Sequence, residues 1–229
     1  ACPGNYGMHG YRRAIMTNAL LQYSGLLAKT KAMEGKLLSA QWIEALSKAE
    51  SVEAAVVMLK GSPGYGQMLS KTENVTQTVE LQKRLEESLH NDYKYLIQFA
   101  GRKQREELKL FTFRGEARRT NELRRKRMLS DSRTKEIFTR LMKQEEERKN
   151  LLFLCRKERF EAQGVSGIPI EDIRREQTQW DKKMDRTYRK FCLKYPVSMA
   201  PVLYYLYRKQ KEIEAVLTAV EGVRLWSKN

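Results

Sequence analysis

The histidines and cysteines of this 229-residue chain are too few and too scattered to predict a catalytic or metal-binding site. His9 and His90 are its only histidines, and neither lies near the Ser, Cys or carboxylate pattern that a proton relay requires. The cysteines lack the spacing of metal ligands, and we expect reduced thiols at Cys2, Cys155 and Cys192. The sequence therefore favours a non-catalytic protein with no metal and no cofactor.

The glycine-rich stretch GSPGYG at residues 61–66 is the one motif that could suggest phosphate binding. It lacks the lysine and the following Ser or Thr of a phosphate-binding loop, and it follows a helical pattern rather than a strand. We therefore interpret it as a helix stop followed by a turn.

The densest basic run is EARRTNELRRKRM at residues 116–128, in a chain of net charge +16. Residues 102–159 hold 20 Lys/Arg against 10 Asp/Glu, so more than half of the excess positive charge lies there. Such a run contacts nucleic acid or an acidic protein, or is a solvated helix face. No zinc finger or aromatic RNA platform accompanies it, which weakens the nucleic-acid interpretation. The candidate contact residues are Arg118, Arg119, Arg124, Arg125, Lys126 and Arg127.

Apolar residues recur at helical spacing along the chain, and alternating strand patterns are absent. This predicts an all-α fold of seven to nine helices. We expect Ser39 and Ser51 to cap two short helices joined by a tight turn. Gly101 is expected to end a longer helix over residues 73–100, and Pro201 fits the first turn of the final helix.

Composition divides the chain into four segments. We expect an N-terminal helical region at residues 1–100, a basic helical region at 101–162, a loop at 163–172 and a C-terminal helical region at 173–229. The loop QGVSGIPIED is the clearest boundary because it holds two glycines and a proline. No run of eighteen apolar residues occurs, so we expect no transmembrane helix, and the first ten residues do not resemble a signal peptide. The reduced thiols expected above favour a cytoplasmic protein.

The last helical pattern, over residues 201–225, is amphipathic. Leu206, Ile213 and Val220 recur seven residues apart on an apolar face, which the charged Lys209 interrupts. The charged residues are expected on the other, solvent-facing side: Arg208, Lys211, Glu212, Glu214 and Glu221.

This segment resembles the closing helix of the C-type subunit of archaeal- and bacterial-type rotary V/A-ATPases, which is related to the d-type subunit of the eukaryotic enzymes. The residues that match the family's pattern are Pro201, Tyr205, Leu206, Lys211, Glu212 and Gly222, whereas Ala215 and Leu217 depart from it. The opening of the chain is similar to that of the same family, through Tyr6, Gly7, Arg12, Arg13, Leu26, Leu27, Tyr65 and Gly66. A middle stretch agrees at Glu116, Arg118, Leu123 and Arg125.

The resemblance implies an all-α fold of helical hairpins and bundle repeats. Residues 128–180 leave little room for the second and third repeats of the family, so we expect fewer than the usual three. Tyr205, Leu206, Glu212 and Gly222 would be the family's structural signature in this chain.

The function that the resemblance implies is that of a non-catalytic central-stalk part of a rotary ATPase. It would link the stalk to the membrane ring during ATP-coupled proton or other ion transport, in the cytoplasm and peripheral to the membrane. Its partners would be the stalk and ring subunits. The contact residues are not taken from the family: basic and loop positions of this chain suggest the basic candidates named above together with Tyr65.

Two other functions stay open at this point. A basic all-α nucleic-acid-binding protein would use residues 116–128, and its affinity would fall steeply with salt concentration. An enzyme with an unrecognised site has little support, because neither a nucleophile–base pair nor a metal constellation appears in the sequence.

Overall fold

The structure is a computed structural model that describes residues 7–71, 78–112, 132–137, 139–141, 143–144 and 170–226. Every helix or strand element in these residues is helical, which confirms the predicted all-α fold. The helices with defined bounds are α1 (Gly7–Glu34), α2 (Ala40–Ser47), α3 (Val52–Lys60), α4 (Gly66–Leu69), α5 (Thr78–Phe99), α6 (Arg102–Thr112), α7 (Ile170–Lys194) and α8 (Ala200–Trp226). Further helical residues lie between 132 and 144.

Helices α2 and α3 form the short capped pair that the sequence predicts. The hydroxyl of Ser39 accepts a hydrogen bond from the N–H of Trp42 at 3.2 Å, and that of Ser51 accepts one from the N–H of Ala54 at 3.1 Å. Each serine satisfies one of the N–H groups that a helix leaves free in its first turn. The caps fix where the two helices begin, as expected.

The turn between α3 and α4 confirms the interpretation of residues 61–66, and it depends on glycine at two positions. A Cβ on Gly66 would lie 2.5 Å from the carbonyl oxygen of Lys60, and one on Gly64 would lie 2.9 Å from that of Lys36. Only glycine lets backbone segments approach so closely without a shift. The turn consequently folds tightly enough to bring Tyr65 into the core, where its side chain is 0% exposed.

The predicted helix breaks are confirmed at Gly101, which lies between α5 and α6, and at the Tyr195–Pro196 step that follows α7. Pro201 lies in the first turn of α8, where its missing N–H leaves no hydrogen bond unmade.

The predicted loop over residues 163–172 is wrong at its end, because α7 already begins at Ile170. Residues 163–169 lie outside the described residues.

The chain divides into two compact units. Unit 1 comprises Ala1–Gly101 with Tyr205–Asn229, and unit 2 comprises Arg102–Tyr204. In unit 1, most of α8 therefore packs with helices that are more than a hundred residues away in sequence. Apart from the corrected end of the loop, the four segments expected from composition stay a prediction.

The core of unit 1 is built from apolar side chains of the N-terminal helices and of α8. Leu46, Leu59 and Leu85 are fully buried there and belong to one cluster with Ile213 and Val216. Burying such side chains contributes about 1.5–3 kcal/mol each. Removal of apolar surface from water is thus the main force that holds α8 against α2, α3 and α5.

Within the part of the chain that the structure describes, no helix is both long and apolar enough to cross a bilayer.

Candidate functional site

The basic residues predicted to contact a partner lie outside the described residues: Arg118, Arg119, Arg124, Arg125, Lys126 and Arg127. Their role stays a prediction. Tyr65, the remaining predicted contact residue, lies in the core of unit 1 rather than on its surface. The family-signature residues lie on α8, where Tyr205 and Glu212 are buried and Leu206 and Gly222 are half-buried.

A buried polar cluster lies where α8 meets the turn before α4 and the helix α5. We define it by the side chains of Tyr65, Asp92, Tyr205, Lys209 and Glu212. Tyr205, Lys209 and Glu212 follow one another on α8 at spacings of four and three residues, so they share one face of that helix. The other two side chains come from the turn and from α5.

The carboxylate of Glu212 accepts hydrogen bonds from three separate segments. The Tyr65 hydroxyl donates to its Oε1 at 2.6 Å, and Lys209 Nζ donates to the same oxygen at 2.9 Å. The backbone N–H of Leu38 donates to Oε2. The side chains of Lys209 and Glu212 are only 3% and 4% exposed, so this is a buried ion pair whose carboxylate is fully hydrogen-bonded.

Tyr65 and Lys209 also contact each other directly. Lys209 Nζ lies 3.7 Å from the centroid of the Tyr65 ring, a cation–π geometry. Burial, and then the negative charge of Glu212, raise the pKa of the Tyr65 hydroxyl well above its usual value. Tyr65 therefore keeps its proton and acts as a hydrogen-bond donor, not as a base or a nucleophile.

A second link ties α8 to α5. The Tyr205 hydroxyl donates to Asp92 Oδ2 at 2.5 Å. Burial raises the pKa of Tyr205, with a further contribution from the charge of Asp92. Burial likewise raises the pKa of Asp92 above 3.8, although the hydrogen bond from Tyr205 and the charge of Lys209 oppose that rise.

The chemistry of the cluster is that of a structural joint. Its two phenols are protonated donors, and each oxygen of the Glu212 carboxylate already accepts at least one hydrogen bond. Among the described residues, no group of three or more His, Cys, Asp or Glu could hold a metal ion. The contacts instead fix the position of α8 against the N-terminal half of unit 1.

The predicted position of Glu212, on the solvent-facing side of the last helix, is wrong. Glu212 is only 6% exposed. The amphipathic pattern predicts that a carboxylate lies on the surface. The carboxylate of Glu212 can be buried because it pairs with Lys209 and accepts a hydrogen bond from Tyr65. A usable signal was present, since Lys209 interrupts an apolar stripe and an opposite charge follows three residues later. Arg208 and Glu214 are exposed, as expected.

Two of the remaining chemical candidates, His90 and Cys192, lie outside the cluster as defined above. His90 lies at an exposed position of α5, as expected for a helix surface residue. Cys192 is a half-buried cysteine on α7 that forms no disulfide with another described residue. Cys2 and Cys155 lie outside the described residues, and the side chain of His9 is not among those described.

The variant Asp92→Asn is expected to raise the free energy of unfolding at pH 7. The pKa of Asp92 is higher in the folded than in the unfolded protein, so ionisation of Asp92 lowers the free energy of unfolding. This loss is complete at pH values above the folded-state pKa. The loss of stability disappears as the pH falls below 3.8, the pKa of Asp92 in the unfolded protein, because the carboxyl is then protonated in both states. Asparagine carries no charge, and its oxygen can still accept from Tyr205. In urea titrations between pH 7 and pH 3, the advantage of the variant should shrink to zero.

A matched control for this pH dependence is Glu50→Gln, at an exposed position just before α3. We expect it to leave the stability at pH 7 within about 0.5 kcal/mol of the wild type. A variant Asp92→Asn that is less stable than the wild type at pH 7 would show that the ionised carboxylate contributes to the joint.

Comparison with known protein families gives one finding. Residues 26–119 match the family model described as the ATP synthase (C/AC39) subunit. Comparisons with curated proteins and with solved structures found no match. The matched span contains α2 to α6, and with them Tyr65 and Asp92 of the buried polar cluster, while the cluster residues of α8 lie beyond it.

Proposed function

We propose that this chain, whose residues 26–119 match the ATP synthase (C/AC39) subunit family, is a stalk-to-ring connector of a V/A-type ATPase. In this role it would link the central stalk to the membrane ring during ATP-coupled ion transport. It would itself catalyse no reaction, and it would lie in the cytoplasm, peripheral to the membrane.

The observation that carries the proposal is the family match over residues 26–119, which includes the capped pair α2–α3 and the turn that holds Tyr65. The buried polar cluster agrees with a mechanical role. A part that transmits torque needs its helices held in one arrangement, and α8 is held by a buried ion pair and by two tyrosine hydroxyls. The net charge of +16 suits acidic protein partners or an anionic membrane surface.

The nucleic-acid alternative gains no support. Its basic run at residues 116–128 lies outside the described residues, and the family match points to an ATPase subunit. The proposed partners are therefore the stalk and ring subunits of a rotary ATPase.

The test is a pull-down of the tagged full chain from detergent-solubilised host membranes, with washes at low and at high salt. We expect stalk and ring subunits to remain bound after the high-salt wash, because apolar contact area is not screened by salt whereas exposed ion pairs are. A parallel sample treated with nuclease should retain the same subunits. Recovery of only nucleic acid and ribosomal proteins, lost in high salt or after nuclease, would contradict the proposal.

A further inference from the structure

The outer face of α7, in unit 2, is cationic. Met184 and Tyr188 are buried and lie on the inner face of this helix. Lys182, Arg186 and Lys190 are exposed and follow one another at intervals of four residues, which places them together on the opposite side. We call these three residues the α7 stripe.

No side chain of the described residues neutralises the α7 stripe. Within the part of the chain that the structure describes, none of its three cations makes a hydrogen bond or an ion pair. Arg189, at the edge of the same face, is different, because it pairs with Asp185 at 2.7 Å and donates to the Tyr204 hydroxyl at 3.1 Å. We therefore leave Arg189 out of the stripe. Asp181 and Asp185, the acidic residues of α7 after residue 176, are both half-buried at the side of the stripe.

The same face continues into an exposed leucine. Leu193 follows Lys190 by three residues and is 83% exposed. Among the large apolar side chains that the structure describes in unit 2, it is the one that is exposed. At about 1.5 Å per residue, the face from Lys182 to Leu193 is about 16 Å long. It thus combines three unpaired cations with one apolar side chain at its end.

A partner for this face has to suit both the cations and the leucine. Carboxylates and phosphates both bind lysine and arginine, so the cations alone do not distinguish a lipid from a nucleic acid or an acidic peptide. A soluble polyanion gives Leu193 no apolar layer to enter. A folded protein partner would bury an apolar centre within a charged rim, whereas here the cations fill the centre. An anionic bilayer offers charged head groups at the level of the cations and hydrocarbon beneath them.

We propose that the outer face of α7 binds an anionic lipid membrane, with head groups on the α7 stripe and with Leu193 inserted beneath them. Electrostatic attraction and burial of apolar area then act together, as they do for other peripheral contacts. The inference goes beyond the connector role, which concerns stalk and ring proteins, and does not depend on it, because lipid binding is a property of the isolated chain. Failure of the pull-down would leave lipid binding intact, and failure of lipid binding would leave the connector proposal standing.

The test measures how the purified full chain sediments with vesicles of phosphatidylserine, and with vesicles of uncharged phosphatidylcholine for comparison. We expect binding to the former and little to the latter. The variant Lys182→Glu/Arg186→Glu/Lys190→Glu should lower the partition coefficient on phosphatidylserine about tenfold or more, because three attractive contacts become repulsive. Wild-type binding to both kinds of vesicle alike would overturn the proposal.

The matched control for charge is Lys71→Glu/Lys83→Glu/Lys94→Glu, which changes three exposed lysines of unit 1. Both triple variants lower the formal net charge from +16 by six, to +10. The control should change the partition coefficient by about twofold or less, because charges far from the bound surface are screened by salt. Equal weakening by the two triple variants would contradict the proposal, since it would show binding to the net charge alone.

The variant Leu193→Ser distinguishes a membrane from a soluble polyanion. It should lower the partition coefficient on phosphatidylserine about threefold or more, because the leucine no longer contributes apolar burial. Binding to poly-glutamate or to a DNA duplex should not change. Val79→Ser removes a side chain of unit 1 that is 79% exposed, and it should leave vesicle binding as it is. If Leu193→Ser binds the vesicles as tightly as the wild type, charge alone accounts for the binding and the membrane is not the partner.

A further variant keeps the test decisive if the charge-reversed stripe does not fold. Should that variant lose its helical circular dichroism spectrum, Lys182→Gln/Arg186→Gln/Lys190→Gln takes its place. It removes the three positive charges without adding negative ones, and it should still lower the partition coefficient several-fold. An unchanged partition coefficient would contradict the proposal.

Discussion

Replacing Glu212 with alanine is expected to lower the free energy of unfolding of unit 1 by about 3–5 kcal/mol. The change leaves Lys209, which is 3% exposed, as a buried cation without its carboxylate, and it leaves the hydroxyl of Tyr65 and the N–H of Leu38 without an acceptor. Hydrogen-exchange mass spectrometry across a urea series measures the effect on α8 itself. Peptides from α8 should lose protection at a lower urea concentration than in the wild type.

Two further variants separate the buried charge from a general effect of substitution on α8. Glu214→Ala removes an exposed carboxylate that pairs with Lys211 at 2.6 Å, and it should cost about 0.5 kcal/mol or less. The double variant Lys209→Met/Glu212→Leu should be more stable than Glu212→Ala, because it removes both partners of the ion pair and leaves neither of them buried without the other. If Glu212→Ala costs no more than Glu214→Ala, the ion pair does not hold α8 in place.

Replacing Tyr65 with alanine is expected to cost about 3–5 kcal/mol, the range for removing a large buried aromatic side chain. Tyr65 is fully buried, its ring contacts Lys209 at 3.7 Å, and its hydroxyl donates to Glu212 at 2.6 Å. The same urea series, read on peptides from α3, α4 and α8, measures the loss. All of them should lose protection together, since Tyr65 belongs to one core with these helices.

The variant Tyr65→Phe is the matched comparison, because it keeps the ring and removes only the hydroxyl. We expect it to cost about 1.5–3 kcal/mol, the value of a hydrogen bond to a charged acceptor. A Phe variant as unstable as the Ala variant would mean that the hydroxyl, and not the packing of the ring, dominates. An Ala variant within about 0.5 kcal/mol of the wild type would contradict the burial of Tyr65.

Local rules account for the parts of the fold that the sequence predicts. Ser39 and Ser51 cap the helices that follow them, and Gly101 lies at a helix break. In each case the interaction that begins or ends the helix joins residues only a few positions apart, so it can be predicted from the local sequence. The start of α7 was misplaced because Pro169 and two nearby glycines suggested a longer loop, while the helix begins immediately after the proline.

The buried polar cluster could not be derived in the same way, because its contacts join distant parts of the chain. Tyr65 and Glu212 are 147 residues apart, and the Leu38 N–H that donates to Glu212 is 174 residues from it. No periodicity within α8 reveals that Glu212 has these partners. The same difficulty arises in unit 2, where the side chain of Gln144 donates a hydrogen bond to Thr187, 43 residues further along the chain.

The resemblance of the last helix to a family signature gains a physical account from the cluster. Tyr205 and Glu212, two of the signature residues, are the ones whose side chains bond to α5 and to the turn before α4. A helix that provides these groups can dock on a segment that provides Tyr65 and Asp92, and both of these lie within the span matched by the family model. Leu206 and Gly222 are half-buried on the same helix, and the structure gives them no comparable polar contact.

The measurement that most directly tests the proposed connector role is cross-linking mass spectrometry on intact membranes that contain the tagged full chain. If the proposal is right, we expect cross-links from this chain to a central-stalk subunit and to a membrane-ring subunit of the same rotary ATPase. Cross-links to neither, or only to nucleic-acid-binding proteins, would contradict it.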